Sequence, residues 1–395
     1  MHIVIAHFGS HYVRNPGGVE NVVCCLANTM IHHGHEVTIL YRDNKEGDPY
    51  FPLNKRVKQH NILFENGRKI ISEKLPTGYR ILREASRIFS QTEAQKINVI
   101  FKGKQYGKQI KKYLSNHPAD IILSCSVPST KYVIEDAACG APVIQMLHSH
   151  PAFLFPTLST VEKNAVKQCK ALQILLPSGL STAKQFFPDV PTVVIGNAVF
   201  PCKKKAYPGA EKEKHLISCV GSMTRNKQQH LLCEAFAKLA ADYPDWDVEL
   251  WGYSGRYGSH VQSWIDKHSL VNRIFIKGQT SHVEDVYARS DIFCLPSRAE
   301  GWGLGLTEAM AAGVPVVGFK GCTGVEDLIQ DGVTGLLADY GDVNSLAASL
   351  QFLMDRPEKR REMGENASES MKRYSPDKIW NLWEELLNNV SEGRI

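Results

Sequence analysis

Nowhere in this chain of 395 residues does an apolar run approach the roughly 18 residues that cross a bilayer. The amino terminus, "MHIVIAHFG", lacks a basic n-region and a cleavage site, so it reads as a first strand rather than a signal. None of the ten cysteines stands in a C-x-x-C pair. Most lie in apolar runs (Cys24, Cys25, Cys219, Cys233, Cys294), where a thiol packs as a small hydrophobe. Neither a disulfide framework nor a zinc site is expected, and a reducing cytosol is. Phosphate-loop chemistry is missing too, since "GKQYGKQ" (103–109) falls one residue short of G-x-x-x-x-G-K-[ST]. A dehydrogenase fingerprint fails as well: "GWGLG" has Leu306 where G-x-G-x-x-G needs its last glycine. "DWD" (245–247) reads as a loop ahead of a strand, and no His, Cys and carboxylate cluster has metal-ligand spacing, so no metal or other cofactor is expected.

What remains is globular in composition, with 43% hydrophobic and 22% charged residues, and long enough for two domains. Its charge is unevenly spread. Between Phe51 and Ser115 there are 15 Lys or Arg against 4 Asp or Glu, an excess of +11 in a chain whose net charge is +5. One region is therefore strongly basic and the rest is acidic, a pattern that suits an anionic partner.

Along the chain, strands and helices alternate. "HIVIA" is an apolar strand, and "VENVVCCLANTMIHHG" is a helix whose Val19, Val22, Val23, Leu26, Ala27 and Met30 recur at three and four. Gly34 stops that helix, and "EVTIL" is the next strand. "DIILSCS", "PVIQML", "LQILLPS" and "TVVIGN" follow as strands, while residues 42–115 are irregular apart from a helix expected over 96–115. The stretch "FPCKKKAYPGAEKEKH" (200–215) has the composition of a linker, and after it the alternation restarts with "LISCVG", "VELWG", "RIFIKG", "DIFCLP" and "VPVVGF". The expected architecture is α/β, with two Rossmann-like parallel-sheet domains over 1–200 and 201–375. The last helix, 376–391, is expected to cross back to the first.

Chemistry concentrates in "DIFCLPSRAEGWGLGLTEAMAAGVPVVGF". There a buried strand leads through a loop to a helix closed by Gly313, and ligands bind at such carboxyl ends in open α/β sheets. Gly301, Gly303 and Gly305 bare the backbone, and a helix start with free N–H groups suits phosphate. Glu300 and Glu308 flank that site. They would repel a bare phosphate, but carboxylates accept hydrogen bonds from vicinal diols. Phosphate together with diols describes a nucleotide sugar. In "GSMTRNKQQ" (221–229), after the first strand of the second half, Arg225 and Lys227 are placed to clamp a diphosphate.

Glu300 and Glu308, with seven residues between them, resemble the paired-glutamate motif of retaining glycosyltransferases of the GT-B fold, family 4. The likeness covers nearly the whole chain and is strongest over 216–340. It implies two domains facing a central cleft, the first for the acceptor and the second for the nucleotide sugar. By this resemblance Glu300 faces the transferred sugar and Glu308 holds the ribose hydroxyls. The amides of Trp302, Gly303 and Leu304 meet sugar and phosphate oxygens. Lys227 matches the family lysine, whereas Ser222 stands where the family has an arginine, and Arg225 is the candidate replacement. Gly17 and Gly18 in "NPGGVE" match a glycine hairpin at the donor, and His148 in "QMLHSHP" matches a strand-end histidine reaching toward the sugar.

The catalytic set so implied is Glu300, His148 and Lys227, with Gly17, Gly18, Ser222, Arg225, Lys227, Trp302, Gly303, Leu304 and Glu308 binding the donor. The activity implied is transfer of a sugar, with a UDP-sugar the expected donor, to a glycan or lipid-linked acceptor in cell-surface polysaccharide or lipopolysaccharide assembly. A nucleotide-sugar epimerase or phosphorylase on the same plan is the enzymatic alternative. A nucleic-acid-binding module would need stacking aromatics among the cations, but Tyr79, Phe89, Phe101, Tyr106 and Tyr113 fall mostly at core-like helical spacing, so no nucleic acid is expected. The protein is expected in the cytoplasm, at the inner face of the membrane if the basic 51–115 segment docks on an anionic surface.

Overall fold

The computed structural model describes all 395 residues, which divide into two units: Met1–Gly196 together with Trp380–Ile395, and Asn197–Ile379. The first unit is built on β1 (His2–His7), β2 (Glu36–Tyr41), β3 (Lys58–Asn61), β4 (Ile121–Ser124), β5 (Val143–Met146), β6 (Ala171–Ile174) and β7 (Thr192–Val194). All seven run parallel in the order β3-β2-β1-β4-β5-β6-β7. The central strands are apolar almost without interruption because helices cover both faces of such a sheet.

Helix α1 (Gly18–His32) buries Val23, Leu26, Ala27 and Met30 against the sheet. It ends in a Schellman turn, with the His35 N–H on the Met30 carbonyl at 3.0 Å, the Gly34 N–H on that of Ile31 at 3.2 Å, and Gly34 left-handed at φ +83°. Two further helices fill the basic stretch: α2 (Thr77–Phe89) and α3 (Gln91–Asn116). The Ser90 side chain accepts from the Glu93 N–H and starts α3 five residues before the expected 96. Trp380, at the chain's return to this unit, stacks on His33 with ring centroids 4.3 Å apart.

The second unit repeats the plan with β8 (His215–Val220), β9 (Trp246–Trp251), β10 (Ile274–Gly278), β11 (Ile292–Cys294), β12 (Val316–Phe319) and β13 (Gly335–Ala338). These six are also parallel, in the order β10-β9-β8-β11-β12-β13. Helices α4 (Gln229–Ala237) and α5 (Leu304–Ala312) follow β8 and β11. "DWD" differs from its reading as a loop. Trp246 and Asp247 already pair with His215 and Leu216, and Asp247 accepts from the Arg273 Nε at 3.1 Å, so this carboxylate braces the sheet edge.

Several elements went unread in the sequence, among them the following three. Strand β3 is "KQHN", a polar edge strand; β13 is a short "GLLA"; and α2 buries none of its residues. Phe89, read as core-like, is also exposed at the end of α2, whereas Phe101 and Tyr106 on α3 are core residues.

Candidate active site

In each sheet the chain order reverses beside the first strand, so connections leave neighbouring strands in opposite directions and open a crevice at their carboxyl ends. In the second unit those neighbours are β8 and β11. The loop after β8 carries Ser222, Arg225 and Lys227, and the loop after β11 carries Glu300 and Trp302. Asn226 ties the loops together: its Nδ2 donates to the Ala299 carbonyl at 2.7 Å, and its own carbonyl accepts from the Arg298 N–H at 2.7 Å. Beside this tie, Lys227 Nζ lies 2.6 Å from Glu300 Oε1.

Glu300 is anchored from behind. Its N–H donates to the Thr323 carbonyl at 3.0 Å, and its carbonyl accepts from Thr323 Oγ1 at 3.3 Å. A Cβ at Gly324 would stand 2.7 Å from that carbonyl oxygen. The stretch "GCTGVED" thus serves as the seat of Glu300.

Helix α5 begins at Gly303, which is left-handed at φ +81° and gives no side-chain cap. The amides of Trp302, Gly303 and Leu304 make no hydrogen bond within the chain, as befits a helix start left open for an acceptor group. The Trp302 ring is buried, with Nε1 3.3 Å from Thr307 Oγ1 and its edge toward Tyr374, so only its backbone is free to meet a ligand. Gly305 has a packing reason of its own. A Cβ there would stand 2.9 Å from the Val220 carbonyl, so this glycine lets α5 approach the end of β8.

One turn further on, Glu308 Oε2 accepts from the Tyr287 hydroxyl at 2.8 Å. Burial pushes the Glu308 carboxyl up to about 7; the Tyr287 hydrogen bond opposes the shift and Glu284 adds to it.

Ser222 and Arg225 are exposed, and Arg225 has no hydrogen bond or ion pair. The Gln229 side chain instead reaches the Gly221 and Ser222 carbonyls at 3.4 and 3.3 Å. Among the residues expected here, the structure thus joins Lys227 to Glu300, puts the three amides and Glu308 on one helix start, and leaves Arg225 unengaged.

The first unit has its own switch point, between β1 and β4. Gly17 caps α1, and a Cβ on it would lie 2.0 Å from Glu20 Oε2; Gly18 is the exposed first residue of the helix. Glu20 is buried, bonded to the Ser10 hydroxyl and 3.1 Å from His7 Nε2. Burial alone would raise its pKa, but His7 and Ser10 bring it below the ordinary value. His148 follows β5 with a buried Nε2 that has no partner. Burial, with His7 nearby, lowers its pKa to about 4. His150 is engaged differently, accepting the Ala152 N–H at 3.2 Å as a helix cap.

The set of His7, Ser10 and Glu20 was missed in the sequence. Its signal was a histidine ending the first strand, three residues before a serine. No three His, Cys, Asp or Glu side chains gather in an arrangement that would hold a metal ion.

Residues 203–370 match the family model described as Glycosyl transferases group 1. That match spans most of the second unit. An N-acetyl-alpha-D-glucosaminyl L-malate synthase of Bacillus anthracis is 32% identical over 197 residues, 49% of this chain and 51% of that protein. A Campylobacter jejuni alpha-1,4-N-acetyl-D-galactosaminyltransferase, whose name carries a glycan on PP-undecaprenol, is 23% identical over 96% of this chain and 97% of its own. Against the relatives that match most strongly, the chain spans about half of their length or less.

Among solved structures, sucrose-phosphate synthase from Thermosynechococcus elongatus superposes with a TM-score of 0.78 at 17% identity, over 99% of both chains. Anabaena HepE in complex with UDP-glucose gives 0.72 at 17% identity, over 98% of this chain and 99% of that one. The fold is that of the GT-B glycosyltransferases.

Proposed function

We propose that this protein is a retaining glycosyltransferase that moves one sugar from a nucleoside diphosphate sugar, with UDP as carrier, to a hydroxyl of a saccharide or lipid-linked acceptor. The observation that carries the reading is the pairing of Lys227 with Glu300 across the β8/β11 crevice, beside the unengaged amides that begin α5. In this reading the bond from the sugar's anomeric carbon to the diphosphate breaks, and negative charge builds on the departing phosphate. Lys227 and the amides of Trp302, Gly303 and Leu304 receive that charge in fixed positions, where it is worth more than in water. Glu300 stabilises the cationic sugar, Glu308 accepts from the ribose diol, and His148 hydrogen-bonds a sugar hydroxyl as a neutral imidazole. Ser222 borders the diphosphate, Arg225 is its second cation, and Gly17 and Gly18 admit it to the backbone. These groups supply the countercharge, so the reading takes no metal or other cofactor.

The Campylobacter relative's name and the basic 51–115 segment support an acceptor in polysaccharide or lipopolysaccharide assembly, at an anionic membrane surface facing the cytoplasm. No helix is long and apolar enough to cross a membrane.

The test is a screen of nucleotide sugars for protection against thermal unfolding. It is followed by transfer to saccharide acceptors, with the product's anomeric configuration read by NMR. Protection by a UDP-sugar and a product of unchanged configuration are expected. If no nucleotide sugar protects, the reading fails; an inverted product removes retention alone.

A further inference from the structure

Helix α2 is built inside out. At 100° per residue, Ile81, Leu82, Ala85, Ile88 and Phe89 share one arc of about 120°, while Arg80, Arg83 and Arg87 share another on the far side. A helix on a globular surface turns its apolar arc to the core, yet α2 does the reverse. It buries no residue. Ile81 is 66% exposed, Leu82 55%, Ile88 83% and Phe89 89%. Its inner contact is made by Tyr79, whose ring lies against Phe101 of α3 with centroids 5.0 Å apart. Arg80 and Arg83 line a cavity of about 410 Å³ with Lys74 and Lys102, facing the single carboxylate of Glu73. An apolar stripe of this size, held out by a helix pinned from behind, marks a contact with something apolar.

We infer that α2 lies in the interface of an anionic lipid bilayer, with Ile81, Leu82, Ile88 and Phe89 among the acyl chains and the cations of α2 and the adjoining cavity against headgroup phosphates. The inference deepens the membrane-surface reading above, and rests on it, by assigning docking to one helix. An amphipathic helix with a basic face and low mean hydropathy binds membranes in this orientation. Charge selects lipid over a second copy of this chain. Two copies would bring two segments of +11 together, whereas an anionic leaflet neutralises them.

The experiment is co-sedimentation of the full chain with phosphatidylcholine vesicles, with and without phosphatidylglycerol, at low and high salt. Three proteins are compared: the wild type, Ile88→Ser/Phe89→Ser, and Arg80→Glu/Arg87→Glu. The wild type should bind the anionic vesicles and lose binding as salt screens the charge. Each double variant should bind about tenfold or more weakly, with an unchanged melting curve and unchanged protection by UDP. Wild-type binding that is no better to anionic than to neutral vesicles would overturn the membrane reading itself. Anionic binding that survives in the Ile88/Phe89 variant would overturn only the placement of α2. So would a wild-type dimer, seen by sedimentation velocity, that this variant dissolves while its vesicle binding is retained.

Discussion

Lys227 Nζ stands 2.6 Å from Glu300 Oε1, and the two residues come from the separate loops that follow β8 and β11. Both side chains are largely buried, so each is the other's counter-ion in the ligand-free protein. A diphosphate arriving beside Lys227 would share that cation with Glu300. Lys227→Ala should therefore lower turnover by about 2–3 orders of magnitude, the effect of losing one fixed electrostatic donor. Arg225, exposed and unpaired, should contribute less: Arg225→Ala should weaken UDP binding by about 1–2 kcal/mol in calorimetry. Unchanged affinity there would make Arg225 a surface residue and leave Lys227 as the sole cation at the leaving group.

The loops of the candidate site stand out in the sequence because they break local rules. Glycines interrupt an apolar run and carboxylates flank a helix start, and neither serves packing alone. The apolar strands β1, β4, β5 and β8 were legible by hydrophobicity, since both of their faces are covered. What stayed hidden lacked that contrast. Strand β3 is polar because it is an edge, with Lys58 paired to Glu36 of β2. Helix α2 carries a clear helical period, but its apolar arc faces outward, which a pattern alone does not reveal. The partnership of His7 with Glu20 joins residues 13 apart through the fold, and no spacing rule announces it.

Glu308 makes the site pH-dependent. Burial lifts its carboxyl from 4.5 to about 7, so the folded protein holds a proton that the unfolded chain has released. Stability from this group is fully present below pH 4.5 and is lost as pH rises through about 7, at a cost on the order of 1–3 kcal/mol. Ligand-free Glu308→Gln should melt higher than the wild type above pH 7 and alike near pH 4.5. UDP binding should run the opposite way. Wild-type affinity gains as the carboxylate forms and can accept both ribose hydroxyls, and the glutamine variant should lack that gain. If only a sugar-bearing donor, and not UDP, loses affinity in the variant, the ribose assignment is wrong.

His148 shifts in the other direction. Its pKa falls from 6.5 to about 4, so stability from its burial is present above 6.5 and is lost as pH drops through 4. At neutral pH the ring is uncharged and its Nε2 has no partner, and the proposed reaction gives it a sugar hydroxyl to bond. His148→Ala should lower transfer by about ten- to a hundredfold, the loss of one hydrogen bond worth about 1–3 kcal/mol, with UDP affinity unchanged. The wild-type rate profile should show no inflection from this ring near its ordinary pKa of 6.5. An inflection there that His148→Ala abolishes would mean that the charged ring takes part.

Gly324 tests whether the seat of Glu300 matters for turnover. It is left-handed at φ +77°, and a Cβ would come within 2.7 Å of the Glu300 carbonyl oxygen. Gly321, in the same loop, has φ +71° and nothing within 4 Å of its would-be Cβ. Alanine at either position meets the same backbone strain, about 1–2 kcal/mol. Only at Gly324 must Glu300 also move. Gly321→Ala should therefore lower the melting temperature and leave turnover near the wild-type rate. Gly324→Ala should lower both, and its rate loss should approach that of Glu300→Gln, because catalysis tolerates little displacement of a charge-stabilising group. Equal turnover in the two alanine variants would show that Glu300 keeps its position without this support.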